Sequence, residues 1–362
     1  MYIESLSLDF FRNYSHLSME FDPKVNIFYG QNAQGKTNLL EAIYLCATGR
    51  SHRSQYDREM IHWNQEEAHI QILLQKEHGK QKIDMHLKKN SKKGAALNGV
   101  ALQKLGQLLG TLHVVMFSPE DLALIKNGPK ERRRFLDMEL CQLYPVYYYN
   151  LQQYYRLLKQ RNQLLKSLQK KPELIDTLPI WDEQLVSLGS QIIQTRQEFV
   201  QHLNEKIQPI HHHITGQKES LVIQYEKDIT LDEYGNKLKK SRGRDIDQGN
   251  TSVGPHRDDL SFWINQVDVR LYGSQGQQRS VALSLKLGEI ELVKETIKDV
   301  PVLLLDDVLS ELDRHRQYHL MDYISDLQTF LTCTGVEDLI FQRFDSSTFY
   351  QVCEGNIKKM AQ

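Results

Sequence analysis

Tyr29-Gly30-Gln31-Asn32-Ala33-Gln34-Gly35-Lys36-Thr37 reads G-x-x-x-x-G-K-T, the spacing of a loop that wraps nucleotide phosphates. Its flanks have the right character. Val25-Asn26-Ile27-Phe28-Tyr29 is a β-branched and aromatic run, which predicts a strand entering the loop. Leu40, Ile43 and Tyr44 fall at helical spacing, which predicts a helix leaving it. Gly30 and Gly35 let the backbone turn so that successive N–H groups, including those of Gln31, Asn32, Ala33 and Gln34, face phosphate oxygens. The helix N-terminus adds its positive dipole end. Lys36 would reach the outer phosphates, and the Thr37 hydroxyl would bind Mg²⁺. The agreement of strand, loop and helix argues against a chance glycine turn.

Two further pieces complete a site. Val300-Pro301-Val302-Leu303-Leu304-Leu305-Asp306-Asp307 is an apolar run ending in two carboxylates, as a fully buried parallel strand reads. An aspartate at such a strand's end holds Mg²⁺ in this protein class, and Asp306 fits that role. Asp307 then stands where a general base would polarise water. The bland alternative is a pair of aspartates capping a helix over 308–322. Upstream, Leu271-Tyr272-Gly273-Ser274-Gln275-Gly276-Gln277 contains the S-x-G-Q core of the ABC ATPase signature, ahead of a helix over 280–298. Phosphate loop, signature, acidic strand and Ser310-Glu311-Leu312-Asp313 follow in the order of the ABC class. In that class Ser274, Gly276 and Gln277 would contact ATP held by another subunit, and Asp313 would lie in the dimer loop. Two chains would pair head to tail about a two-fold axis.

Composition sets bounds. The 362 residues allow one large or two ordinary domains. With 45 basic against 46 acidic residues, overall charge gives no support for a nucleic-acid partner, so any such binding needs local patches. Cys46, Cys141, Cys333 and Cys353 form no C-x-x-C pair, which suggests neither a zinc site nor disulfides and fits a reducing compartment. The N-terminus alternates like a strand and lacks signal-peptide character. No stretch has the length of a membrane span.

Along the chain, residues 2–10 and 17–29 read as strands, with Arg12 and Asn13 in the turn between them. Residues 68–75 and 81–88 read as a hairpin, and 113–117 as a short buried strand. From about 129 long helical patterns begin. Leu151, Leu158 and Leu165 form one seven-spaced stripe; Trp181, Leu185, Leu188, Ile192, Phe199 and Leu203 form another. A proline-marked turn joins them, which predicts an antiparallel helical hairpin. The tyrosines 147–149, 154 and 155 read as packing rather than base stacking. His211-His212-His213 lacks the partner spacing of a metal site. Strands follow at 220–226, 260–264 and 267–271. Three basic clusters, 88–93, 132–134 and 237–244, could touch DNA phosphates or simply be solvated; the last reads as a mobile loop.

The blocks NIFYGQNAQGKT at 26–37, Phe11-Arg12-Asn13-Tyr14, Gly49-Arg50-Ser51-His52-Arg53, Phe117-Ser118-Pro119-Glu120-Asp121, Gly254-Pro255-His256-Arg257-Asp258-Asp259 and LLLDDVLSELD at 303–313 together resemble the RecF family. The resemblance implies an α/β fold: an SMC-like ABC ATPase head of mixed sheets and helices with an inserted α-helical hairpin lobe. The expected division is 1–117 and 216–362 for the head and 118–215 for the lobe. It implies a cytoplasmic recombination mediator using ATP and Mg²⁺. Such a protein would dimerise with ATP, bind duplex DNA and single-strand/double-strand junctions, and help RecA load with RecR and RecO. By the same resemblance Arg12 and Asn13 would contact nucleotide phosphates. Two departures from the wider ABC class stand out. Asp307 replaces the usual glutamate, and Phe330-Leu331-Thr332-Cys333-Thr334 lacks the expected histidine. Both weaken the positioning of water, so slow hydrolysis is expected. The main rival is the ATPase subunit of an ABC transporter. Against it, roughly 240 residues separate Lys36 from Ser274. A small-molecule kinase would leave the signature unexplained, a GTPase needs an Asn-Lys-x-Asp motif that Asn236-Lys237-Leu238-Lys239 does not supply, and a chromosome-bridging protein would need a far longer coiled coil.

Overall fold

The computed structural model describes residues 1–324, 326–335 and 347–360. Contacts divide the chain into two compact units, Met1–Asp121 with Leu283–Gln362, and Leu122–Ala282.

The first unit opens with β1 (Tyr2–Phe11) and β2 (Tyr14–Glu20), an antiparallel pair. The expected strand over 17–29 is broken in two. Asn26 accepts from the Asp22 amide and donates to the Asp22 and Lys24 carbonyls, folding a side-chain turn ahead of β3 (Val25–Tyr29). Helix α1 (Lys36–Thr48) follows the phosphate loop. The expected hairpin forms as β4 (Glu67–Lys76) and β5 (Gly79–Lys88), with Ile70 opposite Met85 and Ile72 opposite Ile83. Alternation puts all four of these side chains on one buried face. With β6 (Gly94–Leu97) and β7 (Val100–Ala101) these strands make an antiparallel sheet in the order β2-β1-β4-β5-β6-β7. The expected buried strand is β8 (Val114–Phe117).

The second unit contains α2 (Leu122–Lys126), α3 (Pro129–Leu143), α4 (Pro145–Leu168) and α5 (Leu178–Ile214). Proline opens α3 and α4, where its missing N–H costs nothing. With 24 and 37 residues, α4 and α5 are about 36 and 55 Å long. Arg161 meets Asp182 and Asn150 meets Gln191, so the two run antiparallel as the stripes predict. Leu158, Leu165, Leu185, Ile192, Phe199, Tyr147 and Tyr154 are buried; Tyr149 and Tyr155 are exposed. Strand β9 (Leu221–Glu226) lies against α5, where Asn204 bonds both the N–H and the C=O of Ile223. The basic run 237–244 is not a loop: it lies on α6 (Tyr234–Lys240) and α7 (Arg242–Gln248). Buried Tyr234 and Leu238 anchor the first of these helices, and Arg242 pairs with Asp182 at 2.7 Å. After β10 (Asp259–Ile264), the strand expected over 267–271 stops at β11 (Val267–Asp268). The Asp268 carboxylate caps α8 (Val269–Tyr272) by accepting from the Arg270 and Leu271 amides. The strands form a three-stranded sheet, β11-β10-β9, and residues 216–282 pack in this unit rather than with the head segment that follows.

Arg132 is buried and bonds the Asp259 carboxylate at 2.6 and 2.9 Å and the Leu124 and Asn127 carbonyls. Four of its five N–H donors are taken, so the 132–134 cluster loses its first candidate for DNA phosphate. Much of the Gly254–Asp259 block is likewise spent on packing, although Arg257 is exposed. Asp258 is buried and accepts from Arg196, Tyr225 and the Asp228 amide. A Cβ on Gly254, at φ 135, would lie 2.5 Å from the Tyr154 and Tyr234 hydroxyls. His211 is buried with Nε2 3.3 Å from Glu219, and no cluster of three or more metal-ligating side chains occurs among the described residues.

The chain returns with α9 (Gln275–Ile297), β12 (Val302–Asp306), α10 (Arg314–Ile324), β13 (Thr329–Cys333), β14 (Thr348–Cys353) and β15 (Asn356–Lys359). The helix expected over 308–322 starts only at Arg314, after a 3-10 turn at Leu309–Glu311. The second sheet of unit one has the order β15-β14-β3-β13-β12-β8, parallel from β14 to β8. Every residue of β12 and β13 is buried, as a parallel strand covered on both faces requires. Phe28 stacks on Tyr350 and Phe330, and Phe21 meets Phe330 edge-on, knitting the sheet's floor. The mixed α/β head implied by the sequence is present. Among the described residues no helix is long and apolar enough to cross a membrane.

Candidate functional site

Strands β3, β12 and β13 end side by side in the first unit, and their C-terminal ends hold the polar residues. Such an edge is where open α/β sheets bind ligands. The loop leaving β3 is curled: Gly30 has φ 155, Ala33 φ 64 and Gly35 φ 116. Gly35 precedes α1, which has no side-chain cap and no acid in its first turn. Its first amides therefore remain open to an anion. Lys36 is folded onto the loop, with Nζ donating to the Gly30 and Gln31 carbonyls at 2.6 and 2.8 Å. Burial pushes the Lys36 ammonium below its ordinary pKa; Asp307, Cys333 and Asp306 oppose the shift.

Thr37 Oγ1 donates to Asp306 Oδ1 at 2.8 Å. The two residues lie 269 apart in sequence. Both are hard oxygen donors, and adjacent ligands of an octahedral Mg²⁺ lie about 3 Å apart, so the pair fits Mg²⁺. Thr332, on β13, was not singled out by the sequence. Its Oγ1 donates to the same Asp306 oxygen at 2.8 Å and accepts the Asp307 amide at 3.0 Å. Asp307 has φ 52, in the left-handed region that non-glycine residues rarely occupy. With Thr332 on its amide and Ser310 Oγ donating to its carbonyl at 2.7 Å, that conformation is held from both sides.

Arg12 and Asn13 lie behind the loop. Arg12 clasps the fully buried Glu41 with Nε and Nη2 at 2.8 and 2.7 Å, and also bonds Ser54 and the Glu59 carbonyl. Burial alone would raise the Glu41 pKa; the Arg12 and Ser51 hydrogen bonds outweigh it and hold the carboxyl below its ordinary range. A carboxylate inside the apolar pattern of α1 was the available signal for this pair. Asn13 Nδ2 donates to the Gln34 carbonyl at 2.9 Å, and Tyr14 donates to the Gly35 carbonyl at 2.9 Å. The turn after β14 grips Gln34 as well: the Gly355 amide reaches its carbonyl at 3.1 Å and the Glu354 amide its Oε1 at 2.6 Å. A Cβ on Gly355, at φ 75, would lie 2.6 Å from the Asn13 carbonyl oxygen. Gly355→Ala is therefore expected to weaken nucleotide binding about tenfold, from strain of one to three kcal/mol at the loop's support. Gly79, at φ 119 with nothing near its Cβ, is the control. Gly79→Ala should lower the melting temperature without changing nucleotide affinity, as titration calorimetry would read.

The signature lies in the second unit. Ser274 Oγ accepts the Gln277 amide at 3.2 Å and Gln277 Oε1 accepts the Ser274 amide at 2.9 Å. This reciprocal pair is a capping box that starts α9. The Ser274 hydroxyl keeps a proton to donate, and the residue is exposed. Gln277 Nε2 donates to Glu219 at 3.0 Å, and Gly276 sits in the first turn. Asp313, in unit one, caps α10 through the Arg316 amide at 3.0 Å and pairs with the Arg316 side chain.

Known proteins place the chain. The RecF/RecN/SMC N terminal domain matches residues 2–355. A DNA replication and repair protein RecF from Lachnoclostridium phytofermentans is 54% identical over 359 residues, covering 99% of this chain and 100% of the relative. The solved structure of the recombination mediator RecF with ATP, from the RecFOR pathway, superposes with TM-score 0.93 at 36% identity, covering 99% of this chain and 98% of that one. An Smc head domain from Pyrococcus furiosus shares the fold at TM-score 0.59 and 15% identity, covering 100% of this chain and 96% of that one. The chain belongs to the RecF family of DNA replication and repair proteins.

Proposed function

We propose that this chain is an ATP-dependent DNA-binding protein of recombinational repair. The observation that carries the nucleotide reading is the 2.8 Å contact between Thr37 and Asp306 at the mouth of a curled G-x-x-x-x-G-K-T loop, in a chain whose relative was solved with ATP. ATP with Mg²⁺ would supply the γ-phosphate that links two subunits and, once cleaved, frees them. Lys36 turns from the loop carbonyls to the outer phosphates. Thr37 and Asp306 would hold Mg²⁺. Asp307 orients the attacking water and takes its proton. Ser274, at the positive N-terminal end of α9, faces the γ-phosphate held by a second copy. Chains then pair head to tail on duplex DNA or at a single-strand/double-strand junction. Hydrolysis serves as a timer, because Asp307 is a short carboxylate and no histidine follows β13 through Gly335. RecR, RecO and the loading of RecA complete the reading through the family.

The test is DNA binding and ATP turnover in one preparation. Duplex DNA should stimulate hydrolysis, with turnover staying below about 1 s⁻¹, the low end of common enzyme rates. An ATPase indifferent to DNA would favour the transporter-subunit reading instead.

A further inference from the structure

We propose that the connection between α1 and β4, together with the turn after β5, forms a surface that binds single-stranded DNA, with Trp63 stacking on an unpaired base. The proposal rests on the reading of the protein as DNA-binding. Trp63 is 83% exposed and Tyr56 57% exposed on that connection. An indole this exposed buries little in the monomer, so packing does not account for it. The Arg58 guanidinium lies 5.2 Å from the centre of the Tyr56 ring, a cation–π pair open to solvent.

The connection and the turn are one surface. Lys93 Nζ bonds Asp57 at 2.6 Å, the Lys89 amide bonds the Glu66 carbonyl at 3.0 Å, and Lys89 Nζ reaches the Gln65 carbonyl at 3.3 Å. Over residues 50–66 and 88–93 there are seven lysines and arginines against three carboxylates. Two of those carboxylates, Asp57 and Glu66, are already paired with lysines. Arg50, Arg53, Arg58 and Lys92 make no ion pair among the described residues and stay exposed. Exposed rings interleaved with unpaired cations are what a single strand needs: a π-face for bases and charge for the backbone. Duplex buries its base faces, so it would use the cations but not the indole.

The full-length protein with ATP and Mg²⁺ is titrated with a labelled single strand, a blunt duplex and a tailed duplex, read by fluorescence anisotropy at several salt concentrations. Trp63→Ala should weaken the single strand and the tailed duplex about tenfold and leave the blunt duplex within about twofold. Lys92→Ala should weaken all three and reduce the slope of log K against log salt by about one. Nucleotide affinity should not change in either variant. Wild-type binding of all three probes by Trp63→Ala would overturn the inference, pointing the surface toward a protein partner, as would an equal loss on the blunt duplex. A wild-type chain that binds none of the three would instead overturn the functional reading beneath it.

Discussion

Lys36→Ala is expected to weaken ATP binding by about a hundredfold or more. Lys36 is 7% exposed and burial already disfavours its charge, so turning it from the loop to a phosphate costs little further dehydration. It meets two carbonyls here, at 2.6 and 2.8 Å. Exchanging them for phosphate oxygens makes the acceptors anionic as well, and hydrogen bonds to charged groups are worth about 1.5 to 3 kcal/mol each. Losing two such bonds removes a hundredfold or more in affinity. The substitution also leaves the Gly30 and Gln31 carbonyls without this donor, so the fold must be checked by circular dichroism alongside calorimetric titration with ATP. A folded variant with wild-type affinity would remove Lys36 from the phosphate site.

Asp307→Asn has the second large effect. Hydrolysis is expected to fall by a factor of about 10² to 10⁴, the range of general-base contributions, with ATP binding retained. Asparagine keeps the shape of the side chain and tolerates the φ of 52 better than most residues. The Thr332 bond to the main-chain amide and the Ser310 bond to the carbonyl do not depend on the carboxylate. What is lost is the negative charge and the proton acceptor. Single-turnover hydrolysis measures the loss, and size-exclusion chromatography on DNA should show the variant accumulating as the ATP-bound dimer. Hydrolysis at the wild-type rate would assign the base elsewhere.

The parts of the site legible in the sequence are those whose chemistry is local. The phosphate loop, the apolar strand ending at Asp306 and the helical stripes each lie within a few turns of chain. The parts that were not legible are made by sheet order. Thr332 reaches Asp306 only because β13 lies beside β12, and nothing in the sequence around 332 names its partner. Gln34 is gripped by a turn 320 residues away. Arg12, expected to meet phosphate through the family resemblance, clasps Glu41 here, a partner that nothing in the sequence around 12 names. The run 237–244 looked like a loop because charge and glycine dominate it; two buried side chains, Tyr234 and Leu238, are enough to fold its first part as helix. Arg132 shows the same limit, since a charge in sequence does not say whether an aspartate waits 127 residues on.

The most direct test of the ATP-gated pairing is molar mass in solution, by light scattering, with and without ATP and Mg²⁺, and with and without a short duplex carrying a single-stranded tail. The account predicts a monomer that becomes a dimer with ATP, more completely on DNA. Ser274→Arg should bind ATP normally and stay monomeric, because the longer cationic side chain would fill the space that the proposed pairing gives to the partner's γ-phosphate. A wild-type chain that saturates with ATP yet remains monomeric on DNA, or a Ser274→Arg variant that still dimerises, would contradict it.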